Sequence, residues 1–160
     1  CIIDCYEPNK YAYKILSKKF KNENKVKCYN LAVAEETTFK KIYFHKHSNL
    51  NQLAYSSASS FLKKKPNINS SKFDVVKTIS INEIIKKYKI IDLIKIDIEG
   101  YEYKILPEII KNRKKIKKVF CELHGDRKSL NSGFLNKEYK NFKKELENLN
   151  LQNNWFEEHF

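Results

Sequence analysis

Residues 90–98, Ile-Ile-Asp-Leu-Ile-Lys-Ile-Asp-Ile, constrain this chain more than any other segment. Isoleucine dominates the run, and β-branched side chains fit a pleated, packed surface. The run is too apolar for a half-exposed edge, so it is expected to be a central strand of a parallel sheet. It stops abruptly in Asp97-Ile98-Glu99-Gly100. Parallel strands need crossover connections, usually helices, and the flanks supply them. On the N-terminal side, Ser80-Ile81-Asn82-Glu83 has the form of a capping box, followed by Ile81, Ile84, Ile85 and Tyr88 at helical spacing. On the C-terminal side, 101–111 is expected to be helical, with Pro107 breaking or kinking it.

The rest of the chain continues the alternation. Residues 1–6 form a short apolar strand, and Pro8-Asn9 stop it and offer a helix N-cap. Ala12, Ile15, Leu16 and Phe20 then lie on one helical face. Strands are expected over 26–33 and over 37–47, the latter as one arm of a hairpin. Residues 48–71, rich in Ser, Asn and Lys and containing Pro66, read as a long surface loop, and 75–78 as a short strand. A buried strand follows over 118–123, leading into His124-Gly125-Asp126. Leu135, Tyr139, Phe142, Leu146 and Leu149 mark one amphipathic helix, and the tail with Trp155 and Phe156 a last strand. The fold class is therefore α/β with a mostly parallel sheet, in one domain of 160 residues.

The net charge of +13 looks at first like a signal for nucleic acid. Of 32 basic residues, however, 30 are Lys, spread along the whole chain beside 17 Asn and 18 Ile. That is the composition of A/T-rich codons, and the arginine usual in phosphate recognition is nearly absent. The runs 63–65 and 114–118 read as solvated loops, and most Tyr and Phe fall on apolar faces, so nucleic acid is not the expected partner. No apolar run approaches the ~20 residues of a membrane span, and the first residues lack the pattern of a signal peptide. Cys1, Cys5, Cys28 and Cys121 match no zinc or disulfide spacing, so they are expected to be isolated, buried and reduced, in a cytoplasmic setting. His45 and His47 would share a strand face without a third ligand nearby.

In parallel α/β sheets, ligands bind beyond the carboxyl ends of the strands. Three expected strands end in polar groups there: one at Glu7, one at Asp97 and Glu99, and one at Glu122 and His124.

The block Lys95-Ile96-Asp97-Ile98-Glu99-Gly100-Tyr101-Glu102 does not stand alone. Tyr6-Glu7-Pro8-Asn9, Asn30-Leu31-Ala32-Val33-Ala34, a Ser-rich stretch ending at Leu62, Thr78-Ile79-Ser80-Ile81 and Cys121-Glu122-Leu123-His124 accompany it in order. Together they resemble the FkbM-type methyltransferases. That family shows F-E-P-N, N-x-A-[LV]-[SG], T-L-D-x, K-I-D-[VI]-E-G-x-E and E-x-H, with Tyr6 here for Phe and Ser80 for Asp. The resemblance implies a class I, Rossmann-like methyltransferase that uses S-adenosylmethionine. Its acceptor would be a hydroxyl oxygen of a sugar or other small metabolite. It places Glu7, with Pro8 and Asn9, at the ribose hydroxyls, and Ala34 and Glu35 near the adenine. Asp97 would face the methyl group and the substrate, and Asp97, Glu99 and His124 are the candidate bases. The same three residues have ligand types that suit a divalent metal, but type alone does not favour one, and no metal is assigned.

One part of the family pattern has no counterpart. FkbM-type enzymes open with a strand and a D-x-G-[AG]-x-x-G loop, whereas the only glycines here are Gly100, Gly125 and Gly133. A first strand and its Gly-rich loop are therefore expected to be missing, leaving a partial domain, as the absence of Met also suggests. The polypeptide by itself is then expected to bind the cofactor poorly and to be inactive. The competing readings are a basic nucleic-acid-binding module and a non-catalytic interaction domain.

Overall fold

The computed structural model describes residues 1–48, 58–124, 135–151 and 155–159. Its contacts divide the chain into two compact units, Cys1–Ser80 and Ile81–Phe160.

In the first unit, β1 (Ile3–Tyr6) leads through Glu7 and Pro8 into α1 (Lys10–Lys19). Asn9 caps that helix, its Oδ1 accepting from the N–H groups of Tyr11 (2.9 Å) and Ala12 (3.4 Å). β1 pairs in parallel with β2 (Val26–Tyr29), Ile3 opposite Val26 and Tyr6 opposite Tyr29, and the two tyrosine rings stack at 5.0 Å.

The strand expected over 26–33 is broken. β2 ends at Tyr29, and β3 (Ala32–Ala34) belongs to a different sheet. Asn30 makes the break: its Nδ2 donates to the carbonyls of Glu7 (2.8 Å) and Pro8 (3.1 Å), tying the chain to the end of β1. β3 pairs in parallel with the last residues of β5 (Ile68–Ser80), and β5 pairs antiparallel with β4 (Phe39–His45), giving the order β3-β5-β4. The hairpin arm expected over 37–47 is thus present, but its partner is a 13-residue strand. That strand absorbs both the end of the expected loop and the expected strand over 75–78. Ser60, fully buried, exchanges two backbone hydrogen bonds with Tyr43, while 49–57, including Ser56 of the Ser-rich stretch, lie outside the described residues. His47 sits in the turn after β4 and not on its face, and its N–H donates to His45 Nδ1.

Thr78 is fully buried in this unit. Its hydroxyl donates to the Glu36 carbonyl (2.7 Å) and accepts from the Thr38 N–H (2.8 Å), fastening the turn after β3. Thr78→Val keeps the shape and removes both bonds. Because Thr38 is exposed and its N–H can return to water, the expected loss is about 1–2 kcal/mol of unfolding free energy, read by urea denaturation. An unchanged midpoint would show that the turn does not depend on that hydroxyl.

In the second unit, α2 (Ile81–Lys86) starts directly after Ser80 and buries Ile81, Ile84 and Ile85. It ends short of Tyr88 in tighter bonds, from the N–H groups of Lys87 and Tyr88 to the carbonyls of Ile84 and Ile85. β6 (Ile94–Ile96) pairs in parallel with β7 (Val119–Glu122), which pairs in parallel with β8 (Phe156–His159), the order being β6-β7-β8.

The strand expected to be central over 90–98 is therefore three residues long and, among the described residues, lies at the edge of its sheet. Leu93 is 56% exposed and Ile90 46%, and Ile91 makes only an isolated bridge with Ile116. The central strand is β7, whose Val119 and Cys121 are fully buried. α3 (Glu102–Lys111) runs through Pro107 unbroken. Burial of Ile105, Leu106, Ile109 and Ile110, at about 1.5–3 kcal/mol each, outweighs the ~3 kcal/mol cost of an interior proline. α4 (Asn136–Asn148) buries Phe142 and Leu146, and Phe142 packs edge-on against Tyr103 and Phe156. Trp155 Nε1 donates to the Ile116 carbonyl at 2.7 Å.

The described strands form three small sheets in place of one continuous sheet, and every strand pairing except β4–β5 is parallel. Among the described residues no helix is long and apolar enough to cross a membrane. Of the four cysteines only Cys121 is buried; Cys1 is exposed, and Cys5 and Cys28, far from isolated, stand opposite each other on β1 and β2. Burial and then the neighbouring Cys28 thiol push the Cys5 pKa up.

Candidate functional site

The loop after β6 is built around one buried acid. Glu99 has φ 58° and Gly100 φ 99°, so two successive residues turn left-handed. Glycine takes that conformation freely, whereas for Glu99 it costs about 1–3 kcal/mol. The turn points the N–H groups of Ile98 and Gly100 at the same atom, Oε1 of Glu102, both at 3.1 Å. Glu102 opens α3 and is fully buried.

The third partner of that oxygen comes from the next strand. β6 and β7 pair with Ile96 opposite Cys121, so Asp97, the first residue past β6, follows in register with Glu122, the last residue of β7. Two residues beyond Glu122, His124 sets its Nδ1 3.1 Å from Glu102 Oε1. Its backbone carbonyl accepts from the Tyr103 hydroxyl at 2.7 Å, which fastens the residue to α3. The other ring nitrogen, Nε2, lies 3.4 Å from Glu99 Oε2 and 4.0 Å from Glu122 Oε1. Three carboxylates thus converge on one imidazole.

Asp97 completes the group: its carboxylate, a carboxylate oxygen of Glu102 and a ring nitrogen of His124 all lie within 4.8 Å of one another. The residue as a whole is open to solvent. Partial desolvation, and then the negative charges of Glu122 and Glu99, push its pKa up, while His124 pulls it partly back. Burial also raises the Tyr103 hydroxyl and the Cys121 thiol, each further raised by Glu102. Tyr103 therefore serves as a neutral hydrogen-bond donor, and Cys121 is a core residue rather than a nucleophile.

Asp97, Glu99 and His124, singled out from the sequence, are thus brought together. Glu102 lies inside the same motif but carries no role in the sequence expectations. The signal that marks it is its position: an acid in the first turn of α3, three residues after Glu99. Gly125 and Asp126 lie outside the described residues.

In the first unit, Glu7 closes β1, half-buried, with Oε1 accepting from the Asn9 N–H at 2.7 Å. Burial pushes its pKa up, and that N–H pulls it partly back. Pro8 carries the chain into the helix, Asn9 is buried as its cap, and Asn30 holds the carbonyls of Glu7 and Pro8. The Glu7-Pro8-Asn9 corner is therefore fixed from three sides. Asn30 is the residue of this corner that the sequence expectations left without a role. Ala34 is fully buried at the end of β3, where its side chain packs into the unit. Glu35 is exposed and accepts from Lys40 Nζ at 2.7 Å.

The family model of the methyltransferase FkbM domain matches residues 5–150, a span that holds every position named in this section. No curated protein and no solved structure gives a significant match.

Proposed function

Because the chain belongs to the FkbM methyltransferase family, we propose that it takes part in S-adenosylmethionine-dependent transfer of a methyl group to a hydroxyl oxygen of a sugar or another small metabolite. Both units are taken as parts of one methyltransferase domain, because the family match runs across them. The observation that carries the reading is the acidic cluster at the ends of the parallel strands β6 and β7, the edge where ligands bind in α/β sheets.

The first unit offers a fitting group for the cofactor. Glu7 is a half-buried carboxylate oriented by the Asn9 N–H, which suits a pair of ribose hydroxyl donors. Pro8 and Asn9 shape that corner. Ala34 offers no exposed side chain, so an adenine contact there would fall to its backbone and to Glu35. When bound, S-adenosylmethionine supplies a methyl carbon made electrophilic by its sulfonium. Transfer to a hydroxyl would exchange the C–S bond for an O–C bond, and the chain's own part would be to take up the hydroxyl proton. Asp97, Glu99 and His124 are the proton acceptors in reach of one another, and Asp97 is the most open to an approaching hydroxyl. Glu102 holds the ring of His124 and the backbone of the Asp97–Gly100 turn in place. The free state of all four cysteines accords with a cytoplasmic setting.

The test is transfer of tritiated methyl from S-adenosylmethionine by the natural gene product to a panel of sugars and hydroxylated metabolites. The expected product is a methyl ether, stable to mild base, with Glu7→Ala raising KM for the cofactor about tenfold or more. Label in base-labile esters, or none with any hydroxyl acceptor, would reject the reading.

A further inference from the structure

We infer that the loops ending β6 and β7 form a binding site for one hard divalent cation, held by Asp97, Glu102 and His124. This does not rest on the methyl-transfer reading.

The ligand atoms of these three residues lie within 4.8 Å of one another, close enough to converge on a single ion after small side-chain adjustments. Carboxylate oxygens with one imidazole suit Mg²⁺ or Mn²⁺ better than the thiolate-seeking metals. Independent support comes from Glu102. Its Oε1 receives the N–H groups of Ile98 and Gly100 and faces His124 Nδ1. Its Oε2 is just as buried and has no hydrogen-bond partner among the described residues. A carboxylate oxygen withdrawn from water without a partner is costly, and buried polar atoms of this kind mark places that an ion or a water completes. Here it belongs to the carboxylate that already touches His124.

The charges point the same way. Asp97, Glu99, Glu102 and Glu122 gather four acidic side chains around one imidazole, a concentration of negative groups that a divalent cation offsets. Asp97, the exposed member, provides the way in. The left-handed turn at Glu99 and Gly100 is what folds the loop onto Glu102.

The experiment is titration of the protein with Mn²⁺, following the loss of the free-ion electron paramagnetic resonance signal, with no S-adenosylmethionine present. One Mn²⁺ per chain is expected, displaced by Mg²⁺. Asp97→Asn and His124→Gln should each weaken binding at least about tenfold, and Glu23→Gln, in the other unit, should leave it unchanged. Asp97 is exposed, so its variant is expected to keep the fold, which far-ultraviolet circular dichroism checks independently of binding. No stoichiometric Mn²⁺, or Mn²⁺ bound equally well by both site variants, would overturn the site. Either result leaves methyl transfer to its own test, just as a failed transfer assay would leave the Mn²⁺ result standing.

Discussion

Glu102→Ala is expected to lower the unfolding free energy by about 3 kcal/mol, with the midpoint of thermal unfolding falling by roughly 6–12 °C. The carboxylate takes hydrogen bonds from Ile98 and Gly100 and lies against His124. Hydrogen bonds to a charged group are worth about 1.5–3 kcal/mol each, so the three together would exceed the stated figure. The unpartnered Oε2 works in the opposite direction, because its desolvation is relieved when the side chain is removed. What remains is the cost of leaving two amide groups unpaired beside a turn that already holds Glu99 at φ 58°. Glu102→Gln should recover a large share of the loss, since its amide oxygen still accepts from both N–H groups. Denaturant unfolding of the three proteins measures this. A loss below about 1 kcal/mol for the alanine variant would mean that the loop is held by something other than Glu102. Against a total stability of about 5–15 kcal/mol, the expected loss is large enough to make the variant visibly marginal.

Asp97→Asn is expected to lower kcat for methyl transfer by about 10²–10⁴-fold while leaving KM for S-adenosylmethionine near its original value. The substitution is isosteric at an exposed residue, so it removes charge and basicity with little effect on packing. The tritium assay on the natural gene product provides the measurement. Saturating Mn²⁺ separates two contributions: activity regained with the ion belongs to Asp97 as a ligand, and activity lost in its presence belongs to Asp97 as a base. A kcat within about tenfold of the original under both conditions would remove Asp97 from the chemistry.

Much of the local structure is legible in the sequence because it is governed by local interactions. Asn9 caps α1 as its position after Pro8 implies. Ile81, Ile84 and Ile85 mark the buried face of α2 through helical periodicity, and Phe142 and Leu146 do the same for α4. Two expectations fail for one common reason. The run 90–98 is rich in isoleucine, yet among the described residues it pairs on one side only, and 26–33 is continuous in pattern but is cut at Asn30 by hydrogen bonds to Glu7 and Pro8. Apolar pattern reports which residues avoid water; it does not report which other strand, distant in sequence, lies alongside.

The candidate site divides along the same line. The sequence by itself determined the family, the alternation of strands and helices, and the acids and histidine that stand where strands end. The Glu99-Gly100 pair and the acid at position 102 were written there too, as a motif whose internal logic was silent. Only the tertiary structure decided that Glu102 is the buried centre on which the turn and His124 converge, that Glu122 joins the cluster, and that Asp97 remains its open edge. The physical reason is the pairing of β6 with β7. That register places residues 97–102 beside residues 122–124, and a charge acquires its role from neighbours that sequence order keeps more than twenty residues away.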